Sequence, residues 1–208
     1  MKKKFLPQQF IYEFDCSDSC IKTIEQYSLK INWEKCKTRI GVNKFKGGRA
    51  YYGKDYSLKN EPFLNEVHQW LEECLFEVKE DIKSYKDNIS NLLVSQSWLN
   101  CSYKGNVHHY HIHPLSILSG ILYLSEPAYK IFSFDSIYKN NFLFPREDFK
   151  EEYCHSAKKG KLIIFPSRLA HHVGPHLEDQ PRITLSFNTW FKGSIGNKYI
   201  ADYIPREF

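Results

Sequence analysis

Two histidines at i and i+2, His111 and His113, are followed far downstream by a third, His171, and then by Arg182. Side chains at i and i+2 of an extended segment point the same way. His111-Ile112-His113-Pro114 therefore aims two imidazoles at one place. His171 follows the apolar run Lys161-Leu162-Ile163-Ile164-Phe165-Pro166-Ser167, and Arg182 comes eleven positions after it on an alternating segment. Two close nitrogen ligands, one distant ligand and a cation outline an open mononuclear iron site that holds an acidic co-substrate.

Seven of the nine histidines fall into two clusters: His108, His109, His111 and His113, then His171, His172 and His176. Any one of them alone reads most simply as a surface or core residue. Two clusters flanking expected strands favour a metal, with His111, His113 and His171 the best placed. Asp135 is a less well placed carboxylate ligand, and His108 and His109 read as loop or rim residues. From Arg182 onward the chain alternates strictly. Arg182, Thr184, Ser186 and Asn188 share one face; Ile183, Leu185 and Phe187 share the other. Alone, this is a half-exposed strand. Beside a metal, Arg182 offers a fork for a carboxylate, Thr184 or Ser186 adds a hydroxyl, and Tyr123 supplies a further donor.

The elements that must position these groups are legible in the pattern. Ser19 or Asp18 is placed to cap a short helix carrying Ile21, Ile24, Tyr27 and Ile31. Phe63, Val67, Trp70, Leu71, Cys74, Leu75, Val78 and Ile82 recur at three- and four-residue steps, with Pro62 in the first turn, and predict a longer helix packed on a sheet. After about residue 92 the expected strands are Val94–Ser102, Ser116–Leu124, Lys130–Phe134, Lys161–Phe165 and Arg182–Phe191, and residues 46–49 and 194–196 read as turns. The expected fold is mainly β (α+β): an antiparallel jelly roll with N-terminal helices packed on it. Residues 1–91 form a helical part with early strands, 92–192 the catalytic core and 193–208 a tail, all within a single domain over 1–208.

Composition agrees. The chain has 208 residues with 15 Phe, 14 Tyr and 4 Trp, an aromatic share that favours strands over a helical bundle. Mean hydropathy is −0.52, and no apolar stretch nears the roughly 18 residues of a membrane span. Met1-Lys2-Lys3-Lys4 lacks the apolar core of a signal peptide. The six cysteines are scattered, which suggests free thiols in a reducing cytoplasm. The net charge of +5 is mild, and its lysines are spread rather than clustered, a weak footprint for nucleic acid.

Over residues 95–192 the chain resembles the Fe(II)- and 2-oxoglutarate-dependent oxygenases. It is closest to a largely uncharacterised group from bacteria and phages. The resemblance rests on Trp98, Asn100, Gly105, His111-Ile112-His113-Pro114, residues 116–120 (Ser-Ile-Leu-Ser-Gly) and Tyr123-Leu124. It continues through residues 160–167, Leu169, His171, Val173, Pro175 and residues 182–188. It implies a double-stranded β-helix in which His111 and His171 ligate Fe(II) and Arg182 binds the far carboxylate of 2-oxoglutarate, assisted by Tyr123 and Thr184. It also implies a dioxygenase, most simply a hydroxylase, that uses O2 and yields succinate and CO2. His113 stands where most of the superfamily carries Asp. A three-histidine site still holds Fe(II), with one negative charge fewer. The alternatives are a non-catalytic metal-binding jelly roll and a 2-oxoglutarate-independent metalloenzyme; neither requires Arg182. The substrate, a small molecule or a peptide, is not readable, although the aromatic segment 128–155 suits a lid or a binding wall.

Overall fold

The computed structural model describes residues 1–6, 9–38, 47–54, 56–82, 92–126, 132–135, 152–155 and 158–192. In chain order the strands are β1 (Lys2–Leu6), β2 (Gln9–Asp15), β3 (Lys37–Thr38), β4 (Arg49–Tyr51), β5 (Leu92–Ser102), β6 (His108–His111), β7 (Leu118–Tyr123), β8 (Phe132–Asp135), β9 (Glu152–His155), β10 (Lys161–Pro166), β11 (His171–Val173) and β12 (Arg182–Phe191). The helices are α1 (Asp18–Leu29) and α2 (Asn65–Ile82). Eight strands form a major sheet in the order β1-β2-β10-β7-β12-β5-β4-β3, and four form a minor sheet in the order β6-β11-β8-β9. Neighbouring strands pair antiparallel throughout, the arrangement of the expected jelly roll.

Strand alternation divides the major sheet into two chemically distinct faces. The outer face contributes Tyr12, Phe14, Leu99, Leu122, Leu162, Ile164, Leu185 and Phe187 to a core completed by the helices. From α2 come Val67, Leu71, Cys74, Leu75 and Val78, all buried, which is the predicted stripe. Phe63 is an exception. It lies on a 3-10 turn (Pro62–Leu64) ahead of α2 and is 43% exposed. The cap of α1 is Ser17, whose Oγ accepts from Cys20 N at 3.3 Å, one residue before the expected candidates.

The inner face carries the polar row. Lys37 sits opposite Ala50, Ala50 opposite Asn100, Asn100 opposite Thr184, and Thr184 opposite Tyr123. Directly opposed residues share a face, so this row crosses five strands on one side of the sheet. Gly120 permits a tight spot behind it: a Cβ there would meet the Phe187 ring at 2.2 Å. Gly48 does not form the expected turn but leads into β4, where a Cβ would meet Cys101 O at 2.6 Å. The turn expected at 194–196 and most of segment 128–155 lie outside the described residues. The described cysteines Cys16, Cys20, Cys36, Cys74 and Cys101 are free thiols, and burial pushes the Cys74 thiol up to about 12. No described helix is long and apolar enough to cross a membrane.

Candidate metal centre and anion pocket

Backbone pairing brings the three predicted histidines together. His171 on β11 lies directly opposite His111 on β6. His113 lies just past the end of β6, where its N–H donates to Ser167 O at 2.8 Å. One ring nitrogen from each of the three falls within 4.8 Å of the others. The ring centroids are 4.2 Å apart for His111–His171, 5.1 Å for His111–His113 and 5.2 Å for His113–His171. This is a spacing that one small cation can bridge.

Two of the rings have their tautomer fixed by the backbone. His111 Nδ1 lies 2.8 Å from His109 O, and His171 Nδ1 lies 2.7 Å from Leu169 O. A carbonyl only accepts, so each Nδ1 carries the proton and each Nε2 carries the lone pair. A carbonyl behind a ligating histidine is the usual device for orienting the ring and raising its basicity. Phe165 packs edge-on against His171 at 4.9 Å, which holds that ring from the side. His113 is anchored indirectly. Ser167, which receives its N–H, donates through Oγ to Ser116 Oγ at 2.8 Å, and Ser116 Oγ donates to Leu118 O at 2.7 Å.

The same cavity is lined by Tyr123, Arg182, Thr184 and Ser186. Arg182 is 5% exposed, and no carboxylate among the described residues pairs with it. Burial pulls its guanidinium below the ordinary value to about 10, so it stays charged at neutral pH. Tyr123 is 1% exposed, and its hydroxyl has no hydrogen-bond partner among the described residues. Burial pushes the phenol well above its usual range, with Glu13 adding to the effect and Arg182 opposing it, so the hydroxyl remains a donor. A buried cation and a buried hydroxyl without partners are both costly unless an acceptor, best an anion, meets them.

Asn100 organises the remaining donors. Trp98 Nε1 donates to Asn100 Oδ1 at 3.1 Å, which turns the Asn100 amide nitrogen toward β12. That nitrogen donates to Thr184 Oγ1 at 3.2 Å and to Ser186 Oγ at 2.9 Å. Each hydroxyl, accepting from Asn100, keeps its own proton to give. Trp98 and Asn100 carry part of the sequence resemblance, but nothing in the sequence assigns Asn100 this role. A second feature escapes the sequence entirely: His155 Nε2 donates to Glu13 Oε1 at 2.8 Å across the two sheets, and the His155 ring stacks on Tyr123 at 6.1 Å. Partners 142 positions apart leave no local signal.

The other candidates fall elsewhere. His108 and His109 lie on β6 rather than on a loop, and the His108 ring is 4.0 Å from that of His111. His172, the neighbour of His171, packs its ring on Tyr110 at 4.0 Å. His176 Nε2 donates to Gln180 O at 2.6 Å and so closes a turn. The backbone of Asp135 ends β8; its side chain lies outside the described residues.

Residues 96–188 match the family described as "Putative 2OG-Fe(II) oxygenase". No curated protein matches the sequence. Among solved structures, the alpha ketoglutarate dependent carbocyclase SnoK from nogalamycin biosynthesis superposes with a TM-score of 0.63 at 10% identity, covering 88% of this chain and 79% of that one. A Pseudomonas putida prolyl-4-hydroxylase superposes with a TM-score of 0.61 at 11% identity, covering 88% and 93%. HygX from Streptomyces hygroscopicus, solved with nickel, 2-oxoglutarate and hygromycin B, superposes with a TM-score of 0.58 at 14% identity, covering 86% and 82%. At such identities these likenesses establish the double-stranded β-helix and nothing finer. The family match thus spans the core strands that carry the three histidines and Arg182, and the fold in which they lie is the double-stranded β-helix of these oxygenases.

Proposed function

We propose that the protein is an Fe(II)- and 2-oxoglutarate-dependent dioxygenase acting as a hydroxylase. In this reading His111, His113 and His171 hold the metal. Arg182 and Tyr123 hold the far carboxylate of 2-oxoglutarate, with Thr184 and Ser186 as further donors. The observation that carries the reading is a buried guanidinium, Arg182, with no carboxylate partner among the described residues, beside a buried hydroxyl, Tyr123, with no hydrogen-bond partner among them, both on the wall of the cavity that holds the three histidines. A structural metal site has no use for such a cation, and neither has a metalloenzyme without an acidic co-substrate.

The residues divide the work. The carbonyls of His109 and Leu169 fix two ligand tautomers, the Ser167–Ser116 chain sets the third ligand, and Asn100 turns two hydroxyl protons outward. Fe(II) bound there supplies O2 activation coupled to decarboxylation. One oxygen atom enters succinate with loss of CO2, and the other converts a substrate C–H to C–OH. The test is an anaerobic titration of the Fe(II)-loaded protein with 2-oxoglutarate, followed by visible absorption, and then succinate release on admitting air. A weak charge-transfer band and succinate are expected. A protein that binds Fe(II) but shows neither band nor succinate overturns the reading in favour of a metal-binding jelly roll.

A further inference from the structure

A second cavity, of about 350 Å³, shares Trp98, His108, His111 and His113 with the first. It therefore opens directly on two of the candidate metal ligands. Its far wall comes from the edge of the major sheet. Lys37 faces inward there because it lies opposite Ala50, in the row that continues through Asn100 and Thr184 to Tyr123. Ala50, with only a methyl group, leaves room in front of it.

Two properties of this cavity select its occupant. The first is flatness. The Tyr52 and Trp98 rings are stacked at 5.9 Å and 30°, and Trp98 is immobilised by its bond to Asn100. The second is charge. None of the described lining residues is a carboxylate, and Lys37 is among them. Asn188 Oδ1 accepts from Ser119 Oγ, which leaves the Asn188 NH2 as a donor; Gln96 Oε1 is an acceptor on the same wall. The metal end adds to the bias. With three neutral imidazoles, a dianionic co-substrate offsets only the ferrous charge, so with Arg182 and Lys37 counted the combined site keeps a net positive charge.

We propose that this cavity receives the primary substrate and that the substrate is an anion bearing a flat ring. The ring lies against Tyr52 and Trp98, the anionic group sits at Lys37 with Asn188 assisting, and the C–H to be oxidised faces His111 and His113. This rests on the oxygenase reading for its chemistry, but not for its binding. The probe is phenyl phosphate, compared with benzylamine (ring, opposite charge) and inorganic phosphate (charge, no ring). Each is titrated by ligand-observed NMR into the full chain, metal-free and loaded anaerobically with Fe(II) and 2-oxoglutarate.

Phenyl phosphate should bind at least about tenfold tighter than either control in both states, since one charge-assisted contact is worth about that factor. Lys37→Glu, at an exposed edge position, should remove the preference over benzylamine, and Tyr52→Ala should weaken phenyl phosphate about tenfold. Equal or tighter binding of benzylamine, indifference to Lys37→Glu, displacement by 2-oxoglutarate, or no binding at all would each overturn the proposal. The two failures are separable. If 2-oxoglutarate binds and phenyl phosphate does not, only this inference falls; if phenyl phosphate binds through Lys37 and 2-oxoglutarate does not bind, only the oxygenase reading falls.

Discussion

Arg182→Met should have opposite effects on the free protein and on its complex with 2-oxoglutarate. Arg182 is 5% exposed and has no carboxylate partner among the described residues, and burial lowers its guanidinium to about 10. That displacement corresponds to a penalty of about 3 kcal/mol on the charged form. Methionine keeps much of the apolar stem and removes the charge, so the ligand-free variant should melt no lower than wild type and up to several degrees higher. In the complex the variant loses hydrogen bonds to a carboxylate, each worth about 1.5–3 kcal/mol, so the 2-oxoglutarate Kd should rise about 10- to 100-fold. At 2-oxoglutarate equal to 100 times the wild-type Kd, wild type gains about 2.7 kcal/mol, or roughly 5–10 °C; the variant should gain less than about 1.4 kcal/mol. Differential scanning fluorimetry with and without 2-oxoglutarate, in the presence of Fe(II) and absence of O2, reads both effects. A variant with lower Tm alone and an unchanged shift on ligand addition would show that Arg182 is structural, and the argument from its isolation would fail.

Other perturbations test neighbouring links. Tyr123→Phe removes a buried hydroxyl that has no partner among the described residues, so the free protein should hold or gain stability in urea while calorimetry shows 2-oxoglutarate binding weakened several-fold. His111→Ala should weaken Fe(II) by at least about 10–100-fold, whereas His113→Asp should retain Fe(II) in a two-histidine, one-carboxylate set; metal titration distinguishes them. Gly120→Ala forces a methyl into the Phe187 ring and should cost about 1–3 kcal/mol or more by chemical denaturation. His68 is buried on the first turn of α2, its Nδ1–H donating to Leu64 O and its Nε2 accepting from Ser97 Oγ, and burial holds it below its ordinary value. The unfolded chain then binds the proton more readily, so this contribution is complete above about pH 6.5 and is lost as pH falls below it. Urea midpoints at pH 7.5 and 5.5 should differ less for His68→Gln than for wild type.

What the sequence disclosed follows from how locally each feature is encoded. The bounds Arg182–Phe191 were readable because polar and apolar residues alternate without a break over its first half, which includes Arg182, Thr184 and Ser186. The α2 stripe was readable because its outer face is charged. Gln9–Asp15 is harder, because Phe10, Tyr12 and Phe14 face one core while Ile11 faces another, which blurs the two-residue period. The three histidines were identifiable by type and spacing. Their convergence, however, depends on β6 pairing with β11, which is a contact between distant segments, and β6 itself is a polar four-residue strand with no apolar signature. Asn100 as the orienting hub and Glu13 with His155 behind Tyr123 depend wholly on tertiary proximity.

The two-faced character of β12 also bears on how the chain avoids misassembly. Because side chains alternate, sliding β12 by one residue against β5 and β7 would exchange its faces. Arg182 and Thr184 would then be driven into the aliphatic layer beneath the helices, and Ile183 and Leu185 would be turned into the polar chamber. The guanidinium thus acts as a register lock during folding. The slipped sheet would bury a cation among leucines and so lie well above the native pairing in free energy.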